Sequence, residues 1–245
     1  MAGLALEERA AKLERARSVL GGADRAREQV AERSAPVAGE QLLPVAASLR
    51  SLLPGGGLRR GATVEVGPSI SLTLALLAEA SAGGAWCALV GLPEVGLVAA
   101  AEAGLALERL ALVPDPGPDL VAVTAALLDG LDLVVMAGGQ RLPAGARQRL
   151  AARARRNGSV LLPVGPWPGA DVRLCVQEGR WRGLGGAGAG RLQCRQVRVR
   201  GSGRGSAHQL RAATMLLPGP DGRSHAVPGA GRGDRPLPVS AREAG

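Results

Sequence analysis

Arginine is the side chain with the most chemical potential in this sequence. Residues 140–211 carry fifteen arginines against two carboxylates, whereas residues 61–139 carry one arginine and nine carboxylates. The chain has 245 residues and a net charge of +9, and Lys12 is its one lysine. A guanidinium presents a planar fork of donors that matches phosphate, so this distribution points to a polyanion or an acidic partner. The helical period sets Arg149, Arg153 and Arg156 on one face. Arg180 and Arg182 bracket Trp181, and Trp167 sits between two prolines, where an indole can stack on a base. The candidate nucleic-acid contacts are therefore Arg149, Arg153, Arg156, Trp167, Arg180 and Arg182. A second reading stands beside each of them. Arginine replaces surface lysine throughout this composition, and an indole between prolines also packs against a sheet edge. Trp86 opens an apolar strand and reads as core.

Other chemistries lack their residues. Cys87, Cys175 and Cys194 are odd in number and far apart with no CxxC pair, which argues against a disulfide framework and a metal site. His208 and His225 lie in Gly/Ser/Pro-rich sequence and form no triad or zinc pattern. No uncharged run exceeds 14 residues, short of the roughly 20 that span a bilayer. The first residues hold charge and no apolar core of a leader, so the expected location is cytoplasmic, with no membrane partner.

The elements that must position the arginines follow from periodicity. Residues 1–34 read as an N-terminal charged helix, with Leu6, Ala10, Leu13 and Leu20 near one stripe, and residues 35–60 as a connector with a short helix over Leu42–Leu53. Then short apolar strands (Thr63–Val66, Trp86–Val90, Leu110–Val113, Leu131–Met136, Val160–Val164) alternate with helices (Ser71–Ser81, Val95–Ala103, Asp119–Leu128, Ala144–Arg156). Such alternation predicts βαβ units around a buried parallel sheet, with Asp119 capping its helix. After Gly165 the period changes to two. Val172, Leu174 and Val176 alternate with polar residues, Glu178-Gly179 reads as a turn, and a phase slip at Arg195-Gln196 predicts a bulge. Ala213–Leu217 reads as a last strand. The Gly/Pro-rich residues 218–245 read as a disordered tail behind a core over 61–217.

The order Gly56-Gly57-Leu58-Arg59-Arg60-Gly61, Thr63-Val64-Glu65-Val66, Gly67-Pro68 and Leu72-Thr73-Leu74-Ala75 resembles the RecA recombinase family. The similarity runs over about residues 40–200, through Trp86–Val90, Leu107–Val113 and Leu131–Val135. It implies an α/β RecA-like P-loop NTPase core, a mostly parallel sheet flanked by helices, with antiparallel strands on the C-terminal side. It also implies that Gly67, Pro68, Ser69, Ser71 and Thr73 form the phosphate loop. A working loop reads G-x-x-x-x-G-K-[ST], with backbone N–H groups cradling phosphates, a Lys on the β/γ oxygens and a hydroxyl on Mg²⁺. This loop is about two residues short and lacks the second Gly and the Lys. Strand Leu131–Met136 ends in Ala137-Gly138 where the family has a magnesium-ordering Asp; Asp132 lies at its other end. Glu94 occupies the place of the water-activating Glu. The expectation is a non-catalytic scaffold with no bound cofactor and no metal, whose degenerate loop is either a plain strand-to-helix turn or a weak ATP or phosphate site.

The family's two DNA-holding loops would correspond to Ala137–Pro143 and Gly165–Ala170, each six or seven residues long. Among RecA-like proteins the chain is most similar to the actinobacterial ImuA-type proteins. That resemblance implies an accessory role in DNA repair and SOS-response mutagenesis by translesion synthesis. The implied partners are a Y-family polymerase-like protein and an error-prone replicative polymerase, together with DNA. Two alternatives remain open: an ATP-dependent DNA-binding repair protein with an atypical loop, and an interaction module unrelated to DNA.

Overall fold

The computed structural model describes residues 42–184, 190–203 and 211–227. The expected N-terminal helix lies outside the described residues, as does the tail beyond residue 227. The elements in chain order are β1 (Leu42–Leu43), α1 (Ala47–Arg50), β2 (Leu58–Arg59), β3 (Val64–Val66), α2 (Ile70–Ala82), β4 (Cys87–Val90), α3 (Leu97–Ala103) and β5 (Leu110–Val113). They continue with α4 (Leu120–Gly130), β6 (Leu133–Met136), α5 (Ala144–Asn157), β7 (Val160–Pro163), β8 (Val172–Leu184), β9 (Gly190–Gly203), β10 (Arg211–Leu216) and β11 (His225–Ala226).

Strands β5-β4-β6-β7 pair in parallel. β3 joins beside β7 through bridges at Thr63/Leu161 and Val66/Val164, with the Gly165 N–H donating to Val66 O at 2.8 Å. β8 runs parallel to β3, and β9, β10 and β11 follow antiparallel. One sheet thus changes from parallel to antiparallel at β8. In β4, β6 and β7 every residue is buried, because helices cover both faces there. One face packs Val64, Val66, Leu89, Leu133, Leu162, Leu174, Val197 and Val199 under α1, α2 and α3. The other packs Ala88, Val90, Val134, Met136 and Leu161 under α4, α5 and Trp167.

The structure departs from the sequence reading in five places. Residues 42–60, expected as a connector with one helix, are core: Leu43, Val45, Leu49, Leu52, Leu53 and Leu58 are buried. Pro44 lacks the N–H a helix needs, so β1 pairs with β2 and only Ala47–Arg50 is helical. Glu178-Gly179 is no turn, since β8 runs on to Leu184. Gly179 is there because the Arg195 side chain crosses it, leaving a Cβ only 2.5 Å from Nε. The irregularities lie between Val176 and Glu178 and between Arg182 and Leu184 instead of at Arg195-Gln196, where Trp181 and Arg180 stay in register. Asp119 stands at the start of α4 without a side-chain cap bond. Residues 218–227, read as disordered tail, return across the fold: β11 pairs with β10, and Ser48 Oγ donates to Ser224 Oγ at 3.1 Å.

Candidate functional site

The Gly67–Thr73 loop joins β3 to α2 at the C-terminal end of the parallel strands, where ligands bind in open α/β sheets. Its backbone donors are largely used within the fold. The Gly67 N–H donates to Leu174 O at 2.7 Å, the Ser69 N–H to Gly67 O at 2.7 Å and the Thr73 N–H to Ser69 O at 3.0 Å. Pro68 has no N–H, and the Leu72 N–H donates to the Ser69 side chain at 3.3 Å as the helix cap. The Thr73 hydroxyl is buried and donates to Ser69 O at 3.0 Å. Gly67 presses against β8 so closely that a Cβ would stand 3.1 Å from Cys175 Cβ. The loop has therefore closed onto its neighbouring strand. With no lysine in the loop and the Thr73 hydroxyl turned inward, these residues do not fit a magnesium triphosphate.

The acidic residues sit elsewhere. Asp132 accepts from the Trp86 N–H at 2.9 Å and from Arg60 at 3.0 Å, tying the starts of β4 and β6 to the turn before β3. Glu94 is exposed in the loop after β4. Burial, with Asp132 nearby, pushes the Cys87 thiol up to about 12, which leaves it a neutral core group. Among the described residues no group of three or more His, Cys, Asp or Glu side chains could hold a metal ion.

The candidate nucleic-acid residues separate into three groups. Trp167 is 2% exposed and belongs to the second core, so it is no stacking platform. Its ring fills the space over Gly139, where a Cβ would lie 2.6 Å away, and its backbone N–H donates to Glu65 Oε2 at 2.9 Å. The two loops expected to hold DNA are thereby packed on each other. On α5, Arg153 makes a two-pronged bond to Asp129 of α4, and Asn157 donates to the same carboxylate at 2.8 Å. The Arg153 hydrogen bonds hold the Asp129 carboxyl below its ordinary value. Arg153 of this face therefore turns to α4 and spends its charge on Asp129, on which Arg156 also acts, while Arg149 is exposed. Arg180 and Arg182 lie exposed on β8 with Trp181, which is 46% exposed. Arg182 donates to Gln196 on β9.

Sequence reasoning missed Glu65. Its carboxylate is buried on β3 between the Trp167 N–H and Arg173 Nε, the latter at 2.7 Å. A single charged residue between Val64 and Val66 in a buried strand was the available signal, because a buried carboxylate needs partners.

Two kinds of comparison bear on this geometry. In structure, the chain is similar to the RadB recombinase, with a TM-score of 0.53 and 17% identity over 74% of this chain and 97% of that one. This likeness, with the parallel sheet flanked by helices, shows a RecA-like fold. In sequence, residues 51–169 match the family described as the MT3502 N-terminal domain. The chain is also 37% identical over 186 residues to the uncharacterized protein Rv3395c of Mycobacterium tuberculosis (strain ATCC 25618 / H37Rv), covering 67% of this chain and 91% of the relative. An identity sustained over nearly the whole of that relative places this chain in the same family as mycobacterial Rv3395c, on a RecA-like core.

Proposed function

We propose that the protein is a non-catalytic RecA-like adaptor in DNA repair and damage-induced mutagenesis by translesion synthesis. It would work through a Y-family polymerase-like protein, an error-prone replicative polymerase and DNA. The observation that carries this reading is the collapsed Gly67–Thr73 loop. Most of its amides serve the fold, the Thr73 hydroxyl is turned inward, and the cation that a terminal phosphate requires is missing. A fold that keeps the sheet of a motor and loses its phosphate grip is suited to presenting surfaces. The recombinase named as its structural neighbour and the resemblance to ImuA-type proteins support a DNA-linked setting.

ATP hydrolysis by the purified chain, measured with Mg²⁺ and with or without single-stranded DNA, tests the first half. The expected rate equals that of buffer. DNA-stimulated turnover would overturn the reading in favour of an ATP-dependent repair protein. The second half is tested by capture of a Y-family polymerase-like partner and by the ultraviolet-induced mutation frequency of a deletion strain. Capture and a lowered frequency are expected. An unchanged frequency without capture refutes the adaptor role.

A further inference from the structure

Among the described residues, the antiparallel half of the sheet has one face packed into the first core and one face that belongs to neither core. Residues directly opposite each other in paired strands point to the same side. Val172, Leu174, Val197, Val199 and Met215 turn into the first core. The register then puts the alternate set on the other side: Arg173 across from Ser202, Arg200 from Cys175, Arg198 from Glu178, Arg180 from Gln196 and Arg182 from Cys194. On β10, Ala212 and Thr214 continue the same rows beside Arg200 and Arg198. Helices α4 and α5 cover this side of the sheet over β4, β6 and β7, and the second core contains no residue of β8, β9 or β10.

We propose that this open face of β8, β9 and β10, with Arg180, Arg182, Arg198 and Arg200 as its contacts, binds the phosphate backbone of a nucleic acid. Strands β8 and β9 carry seven arginines against one carboxylate, Glu178. Arg173 is held by the buried Glu65 and marks the inner end of the row. Alternate residues repeat every ~7 Å along a strand, so the row from Arg173 to Arg182 runs about 30 Å. A line of that length matches a polymer with regularly spaced charge, roughly one per 3.4 Å of each duplex strand. At protein interfaces arginine accompanies aromatic and Met anchors, and the residues of β8 and β9 on this face include neither. Beyond Glu178 strand β8 is exposed throughout, and past the buried Cys194 its partner β9 is exposed over Gly190–Gln193, a two-stranded end of a width that enters a major groove. Its other face brings Trp181 opposite Arg195, an indole beside a cation.

This inference rests on the DNA part of the proposed function and adds the surface that makes the contact. Polarisation binding of the full chain to a labelled single strand and a labelled duplex, each of about 30 nucleotides, tests it across about 50 to 200 mM salt. The variant Arg180→Ala/Arg182→Ala/Arg200→Ala is compared with Arg149→Ala/Arg155→Ala/Arg156→Ala, which removes equal charge from α5. Three lost phosphate contacts lower the salt slope by about 2.7, so the wild type should lose about 40-fold more affinity over that range than the sheet variant. The α5 variant should keep the wild-type slope, and replacing the three sheet arginines by lysine should restore it. A tighter grip on duplex places the ribbon in a groove, and a tighter grip on single strand places it along the sheet; both support the surface. Equal losses in the two alanine variants with unchanged melting curves, or no wild-type binding at the lowest salt, overturn it. Either failure leaves partner capture and the mutation frequency standing as separate tests of the adaptor role.

Discussion

Replacing Glu65 by Gln removes the charge that ties three parts of the fold together. The carboxylate accepts the Trp167 N–H at 2.9 Å and Arg173 Nε at 2.7 Å. A glutamine keeps one acceptor oxygen and turns an NH₂ donor toward the other partner, so one of the two bonds is lost and a donor faces a donor. A hydrogen bond to a charged group contributes about 1.5–3 kcal/mol. The Arg173 side chain is 56% exposed and regains water, so its share is discounted to below ~1 kcal/mol. The Trp167 N–H is buried against the second core and has no such recourse, which puts the total near ~2 kcal/mol. For a domain of this size that corresponds to a fall in melting temperature of about 4–8 °C. Circular dichroism melting measures it, and the emission of the loosened Trp167 should shift to the red at temperatures below the transition. Arg173→Ala should cost much less. A Glu65→Gln protein that melts within about 1 °C of wild type, with unchanged emission, would refute the latch.

Gly139→Ala forces a methyl to within 2.6 Å of the Trp167 ring, an overpacking cost of about 1–3 kcal/mol, read as a lower melting temperature. Trp167→Ala should cost about 3–5 kcal/mol by opening a cavity, whereas Trp181→Ala, on an exposed strand, should leave the melting curve unchanged. The Asp129 carboxyl is held low by Arg153, so its stabilising contribution is present above its unfolded value and is lost as pH falls through the folded one. Asp129→Asn should therefore flatten the acid limb of the melting-temperature profile, and an unchanged limb would contradict this. With its thiol pushed up to about 12, Cys87 should resist a thiol-reactive dye at mildly alkaline pH until the protein unfolds, while the half-buried Cys175 reacts first.

Much of the parallel half was legible in sequence because burial on both faces leaves a run with no polar residue. Cys87–Val90, Leu133–Met136 and Val160–Pro163 are such runs, and each strand fell within a residue or two of its expected bounds. The antiparallel half was harder. Gly179 carries the local signal of a turn, yet it serves as a flat floor for Arg195 within a continuous strand. Pro44 was the cue that the expected helix over Leu42–Leu53 breaks, and its consequence, a strand paired with Leu58–Arg59, needs a partner far along the chain.

Composition and order of residues were enough to establish a βαβ layout, the shortened Gly67–Thr73 loop without its lysine, and an arginine-dense second half. Those are local properties: which residue follows which, and at what period. Only the tertiary structure decided which arginines face open solvent and which tryptophan is core. Arg153 meets Asp129 across two helices, Trp167 meets Gly139 and Glu65 across two loops, and Arg180 and Arg182 share a face with Arg198 and Arg200 through strand register. Each of these is a meeting of distant segments, and no period in a single stretch of chain encodes the side on which another stretch will arrive.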